Sequence, residues 1–217
     1  MTKRNGIVLV VDDNESFRAG LSSLLLSAGA AVATFSSAAE FLEAPLPSGP
    51  CCLLLDICMP GMGGLDLQSE LASRGLDIPI IFLTGHADVP TTVRAMKNGA
   101  VEFLTKPFQP EDLLHAVGDA IERCRLAMLE KSESVELRAR YTTLTAQERE
   151  VMSLVTRGLL NKQIAAQLRR SEITVKVHRS RVMAKMQAGS LADLVRMGDR
   201  LKGAETATGY TKEYTKG

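Results

Sequence analysis

Metal-binding thiol patterns are missing from this sequence. Its four cysteines, Cys51, Cys52, Cys58 and Cys124, show no C-x-x-C spacing, and its three histidines stand apart from one another. That spacing argues against a tetrahedral Cys/His zinc site. Reduced thiols in a cytoplasmic protein are the simple expectation. Long apolar runs are missing too. The N-terminal run ends at Asp12, far short of the roughly 20 residues that cross a bilayer, so neither a signal peptide nor a membrane partner is expected. Net charge is almost absent, at +1 over 217 residues.

That near-neutrality hides an asymmetry. Residues 1–123 carry 8 Lys and Arg against 15 Asp and Glu, a balance of −7. Residues 142–202 carry 12 against 5, a balance of +7. An acidic half joined to a basic half implies two jobs, the basic one facing a polyanion. The length suffices for two domains, each with its own core.

The acidic half alternates apolar strand-like runs with helical periodicity. Strands are expected at Ile7–Val11, Val32–Phe35, Cys52–Leu55, Ile78–Leu83 and Val101–Leu104. Helices are expected at Glu15–Ala28, Ala38–Leu42, Leu65–Leu71 and Pro90–Asn98, with another opening at Pro110. Such βα units imply a (βα)5 doubly wound parallel sheet, with ligands at the carboxyl ends of its strands. The residues at those strand ends are therefore the candidates for chemistry. The first strand ends in Asp12 and Asp13, the third in Asp56, the fourth in Thr84 and the fifth in Lys106-Pro107. Three acids, a hydroxyl and an ammonium on one rim make a site for a phosphoryl group with Mg²⁺, because adjacent carboxylates repel unless a cation joins them.

These residues resemble the response-regulator receiver domain over the whole acidic half. The shared pattern is Asp12-Asp13, Asp56-Ile57-Cys58-Met59-Pro60-Gly61-Met62-Gly63-Gly64, Thr84-Gly85-His86 and Lys106-Pro107-Phe108. The resemblance implies that Asp56 takes a phosphoryl group from a sensor histidine kinase. It implies Mg²⁺ held by Asp13, Asp56 and the Cys58 carbonyl, with Asp12 acting mainly through water. Lys106 would pair with a phosphoryl oxygen, and the Lys106–Pro107 peptide would be cis. Thr84 and Phe103 would form a switch. The helix carrying Val93 and Lys97 would be the face of a homodimer, and His86 would be an idle loop residue.

Residues 113–135 carry an interrupted 3-4 repeat, which reads either as a dimer seam or as a solvated helical linker over 124–141. Residues 142–202 read as four helices. Thr145 and Glu148 form a capping box, Gly158 stops the first helix, and Asn161 can cap the second. Ser171 caps a third helix and Ser190 a fourth. Two short helices joined by the turn at Arg169-Arg170 make a helix-turn-helix candidate. At 100° per residue, Val175, His178, Val182 and Met186 share the buried side of the third helix. Ile173, Lys176, Val177, Ser180 and Ala184 lie opposite, a face suited to the major groove. Lys176 and Ser180 would reach base edges, and Val177 a thymine methyl. Arg179, Arg181, Lys185 and Arg169 would reach phosphates.

This half resembles the LuxR-type DNA-binding domain through Leu144-Thr145, Glu148-Arg149-Glu150-Val151, Gly158, Asn161-Lys162-Gln163-Ile164-Ala165, Leu168, Ser171, Thr174-Val175-Lys176, His178 and Lys185-Met186. It departs at Leu160, where a small or polar residue is usual, and at Arg169-Arg170, where an aliphatic is common. Both halves together resemble the NarL/FixJ family. The resemblance implies a two-component response regulator that dimerises on phosphorylation, binds double-stranded DNA and activates transcription, with RNA polymerase as a further candidate partner. Two rivals are weighed against this reading. A phosphohydrolase on a similar sheet would want a second acid two residues after its nucleophile, where Cys58 stands. A flavodoxin-like FMN protein would want a hydroxyl-rich loop where Asp12 and Asp13 stand. Residues 203–217 lack aliphatic core residues and repeat Tyr-Thr-Lys, which predicts a disordered tail.

Overall fold

The computed structural model describes residues 6–85 and 88–209, with side chains to residue 203. The described chain forms two compact units, divided between Leu129 and Glu130.

The first unit holds β1 (Ile7–Val11), α1 (Glu15–Ser27), β2 (Ala31–Phe35), α2 (Ala38–Glu43), β3 (Cys51–Asp56), α3 (Gly64–Ser73), β4 (Ile80–Thr84), α4 (Val89–Lys97), β5 (Glu102–Thr105) and the start of α5 (Pro110–Thr142). The strands are all parallel in the order β2-β1-β3-β4-β5. Side chains alternate across a strand, so each strand feeds two cores. Leu9, Leu53 and Phe82 pack with Phe41, Leu67 and Ala95 beneath α2, α3 and α4. Val8, Leu54 and Ile81 pack with Leu21, Leu25, Leu113 and Val117 beneath α1 and α5. Burial on both faces is what the unbroken apolar runs of β1 and β3 required. The doubly wound sheet expected from the sequence is therefore the fold. Boundaries differ by one or two residues at most elements. β4 starts at Ile80 rather than Ile78, since Pro79 precedes it and donates no ladder hydrogen bond.

The thiols behave as packing groups. Cys51, Cys52 and Cys124 are buried, and burial pushes Cys51 and Cys52 up to about 12.

The second unit contains the last turns of α5, then α6 (Ala146–Thr156), α7 (Asn161–Leu168), α8 (Glu172–Met186) and α9 (Leu191–Gly209). Leu137, Leu144, Val151, Leu154, Ile164, Val175, Val182, Met186 and Leu194 form its core. Thr145 and Glu148 exchange both bonds of the expected capping box. Ser171 caps α8 through the Thr174 N–H, and Ser190 accepts from the Asp193 N–H. One cap differs. Asn161 is already helical and Leu160 is the N-cap residue, its N–H bonded at 2.8 Å to the Gln163 side chain. The Asn161 side-chain oxygen accepts from Arg179 on α8 instead.

α5 is continuous through 124–141, the helical linker expected from the sequence. One stretch extends beyond the sequence expectation: α9 runs to Gly209, into the expected tail. Ala204, Glu205 and Ala207 are good helix formers. The Tyr-Thr-Lys repeat and His86 lie outside the described residues.

Candidate functional site

The carboxyl ends of β1 and β3 are adjacent because the two strands pair in register. This brings Asp12, Asp13 and Asp56 together, with one oxygen from each inside 4.8 Å of the others. Asp12 and Asp56 are buried, whereas Asp13 is exposed. The end of β5 adds Lys106. Its Nζ lies 2.6 Å from Asp12 Oδ2 and 3.3 Å from Asp56 Oδ1. The Lys106–Pro107 peptide is cis, as expected. The Lys106 N–H also donates to the Thr84 carbonyl at 2.7 Å, tying the end of β4 to the same rim. Thr84 is fully buried.

One ammonium does not balance three carboxylates. Burial raises the Asp56 pKa, the nearby Lys106 opposes the rise, and the Asp12 charge adds to it. Such a cluster favours either protonation or a divalent cation. The donor set fits a small hard cation. Its protein ligands are oxygens, Asp13 opens to water, and the loop after β3 presents a further carbonyl. In that loop the Gly64 N–H takes the Ile57 carbonyl at 3.0 Å, leaving the Cys58 carbonyl without a protein donor among the described residues. Gly64 is required there, since a Cβ would sit 2.3 Å from the Asp56 carbonyl oxygen.

Sequence reasoning missed Phe17. Lys106 Nζ lies 3.9 Å from its ring centroid, and Phe108 meets the same ring edge-on at 6.1 Å. Phe17 thus holds the apolar side of the lysine. In sequence it is one more apolar position of α1, so periodicity alone could not mark it.

Phe103 pairs in register with Phe82, at 6.5 Å between centroids, and is half-buried. On α4, Val93 and Lys97 are both exposed. Val89 and Met96 are exposed as well, giving an apolar stripe at spacing 89, 93 and 96. That i, i+4, i+7 spacing was legible in the sequence.

In the second unit, Lys176, Val177, Ser180 and Arg181 are exposed on α8. Ile173, 77% exposed, extends the same face. Val175, Val182 and Met186 are buried as expected. His178 is half-buried, with a buried Nδ1 that has no hydrogen-bond partner. Two of the basic residues expected at phosphates are engaged within the unit. Arg179 donates to Asn161 Oδ1 at 3.1 Å, which fastens α8 to the start of α7. Lys185 Nζ reaches the buried Glu148 at 2.6 Å and the Thr143 carbonyl at 3.1 Å. The Lys185 bond and the Thr145 N–H hold the Glu148 carboxyl down to about 2.

Known proteins share both units. Residues 8–118 match the response regulator receiver domain, and residues 142–198 match the bacterial regulatory proteins of the luxR family. Nodulation protein W of Bradyrhizobium diazoefficiens is 50% identical over 195 residues, covering 90% of this chain and 86% of that protein. The solved structure of response regulator StyR shares 45% identity with a TM-score of 0.81, covering 90% of this chain and 98% of that one. Full-length FixJ from B. japonicum shares 40% identity with a TM-score of 0.56, covering 90% and 97%.

Proposed function

This chain belongs to the two-component response regulators of the FixJ type, a receiver domain joined to a luxR-family DNA-binding domain that regulates transcription, and on that premise we propose that Asp56 is its phosphoacceptor. An Asp56 oxygen forms a bond to phosphorus while the P–N bond of a kinase phosphohistidine breaks, and the imidazole leaves with a proton. Asp13, Asp56 and the Cys58 carbonyl would hold Mg²⁺, with Asp12 acting mainly through water. When bound, the ion offsets repulsion between the carboxylates and the incoming phosphoryl oxygens. Lys106 shifts from its bridge between Asp12 and Asp56 onto a phosphoryl oxygen, with Phe17 beneath it.

Thr84 donates its hydroxyl to the phosphoryl group, and Phe103 turns inward as the loop after β4 moves. The α4 face carrying Val93 and Lys97 then pairs with a second copy around a two-fold axis. Two tethered DNA modules bind paired half-sites, with Lys176, Val177 and Ser180 reading bases and Arg179 and Arg181 near phosphates. Bound upstream of a promoter, the dimer activates transcription by contact with RNA polymerase. The relatives give the phosphohydrolase alternative no support.

One observation carries this reading: three acids and one lysine from three separate strands converge on a single rim. Intact-mass measurement after incubation with acetyl phosphate and Mg²⁺ tests it. One phosphoryl adduct is expected on wild type and none on Asp56→Asn. An adduct of similar yield on Asp56→Asn would overturn the assignment.

A further inference from the structure

The turn between α7 and α8 does not close as an apolar turn would. A cleft of about 220 Å³ opens there, between α6, the end of α7 and α8. Its floor is Val151, Leu168 and Val175, and its rim is Arg169 and Arg170. His178 also lines it with its ring, whose Nδ1 is buried. Both arginines are exposed, and among the described residues neither guanidinium has a hydrogen bond or ion pair. Arg169 holds φ +51° and ψ +48°, the left-handed position that glycine usually fills at the end of a helix. Retaining a long cationic side chain in that conformation carries strain, which recurs at ligand clamps.

The cleft joins an apolar floor, two free cations and the side of an imidazole ring. We infer that it binds a small organic acid, with its carboxylate on Arg169 and Arg170 and its body on Val151, Leu168, Val175 and the His178 ring. A carboxylate suits the planar guanidinium fork. At this volume the cleft lies below the roughly 300–1,000 Å³ of drug-sized sites, so a single ring with one acid group is the right size. Glu150 also lines the cleft and opposes the anion, so the two arginines leave a net positive rim.

A DNA phosphate, expected above at Arg169, is the other source of anionic oxygen, and the helix geometry turns the floor of the cleft away from it. At 100° per residue, Val175 and His178 lie on the side of α8 away from Lys176, Val177 and Ser180. A ligand in the cleft therefore leaves the proposed base-reading face open. It touches all three helices of the motif, so occupancy bears on how α7 and α8 are held. This site goes beyond the phosphorylation reading and does not depend on it.

The test uses the full chain with ring-labelled histidine, which gives only three histidine signals. Benzoate is titrated at constant ionic strength, with inorganic phosphate and DNA as separate arms. The expected result is a saturable shift of the His178 signal by benzoate, with a Kd on the order of millimolar for a ligand of this size. Arg170→Leu, which restores an aliphatic at the turn, should abolish that shift. Glu150→Gln should tighten binding about twofold to fivefold, which keeps the test decisive if Arg170→Leu folds poorly. The inference is overturned if benzoate gives no saturable shift, if Arg170→Leu responds like wild type, or if Glu150→Gln leaves the affinity unchanged. It is equally overturned if phosphate moves His178 as strongly as benzoate, or if DNA competes with benzoate for the cleft.

Discussion

Asp56 and Glu148 are both buried carboxylates, and their surroundings push them in opposite directions. In the first unit, burial outweighs one shared lysine and raises Asp56. In the second, Glu148 accepts from Lys185 and from the Thr145 N–H, and it drops to about 2. The first is an acid whose one cation is shared with Asp12 and which therefore has something left to bind. The second has its hydrogen bonds filled by its own fold. Buried charge marks a reactive site only where its partners are incomplete.

The largest expected effect comes from breaking the completeness of the second site. Lys185→Ala should cost the helical unit about 2–3 kcal/mol, because it leaves the buried Glu148 carboxylate without its ammonium, and Glu148→Gln should cost less, since the Lys185 side chain it leaves is 36% exposed. Urea unfolding monitored by hydrogen exchange should place that loss in residues 130–209 and leave phosphorylation of Asp56 intact. The pH dependence has a definite sign. Glu148 has a folded pKa below its usual 4.5, so its contribution is present above about 4.5 and is lost as pH falls toward 2. Asp56 is raised, so acid relieves its burial instead. Thermal melts between pH 7 and pH 3 should show the helical unit weakening in wild type and a flatter profile in Glu148→Gln.

The incomplete site should lose its cation before it loses its fold. Asp13→Ala should weaken Mg²⁺ binding by about tenfold or more, as for other residues that hold a metal, with little change in melting temperature since Asp13 is exposed. Calorimetric titration with MgCl₂ measures this. Unchanged affinity would remove Asp13 from the site.

Surface charges of the second unit should act differently from its buried pair. Lys176→Ala should cost roughly 1–3 kcal/mol at one base pair and relax preference there. Arg181→Ala should weaken all sequences alike and flatten the salt slope by about 1. Binding isotherms on matched and mismatched duplexes, over a salt series, separate the two. Uniform loss from Lys176→Ala would place it on phosphate.

The smallest effect concerns Phe17. Phe17→Leu keeps the apolar volume but removes the ring beneath Lys106, a contact worth about 0.5–1 kcal/mol at a partly exposed position. Phosphorylation by acetyl phosphate should slow by about twofold to fivefold. Phe17→Tyr should restore the rate. A rate unchanged in Phe17→Leu would mean that Asp12 alone positions the lysine.

The sequence by itself determined both folds and the acidic rim. Apolar runs of five residues force a sheet buried on both faces, and parallel connection then puts Asp12, Asp56, Thr84 and Lys106 at one edge. Capping at Thr145, Ser171 and Ser190 was equally legible, because a cap bonds its own next turn. Tertiary structure decided which partners those groups take. Lys185 lies 37 residues from Glu148, Arg179 lies 18 from Asn161, and Phe17 meets Lys106 from another element. No local pattern records such pairings, since they depend on how helices cross rather than on how each one repeats. The turn at Arg169 and Arg170 shows the same division. In the sequence it is a departure from an aliphatic pattern, and only the packing of α6, α7 and α8 around it turns that departure into a cleft.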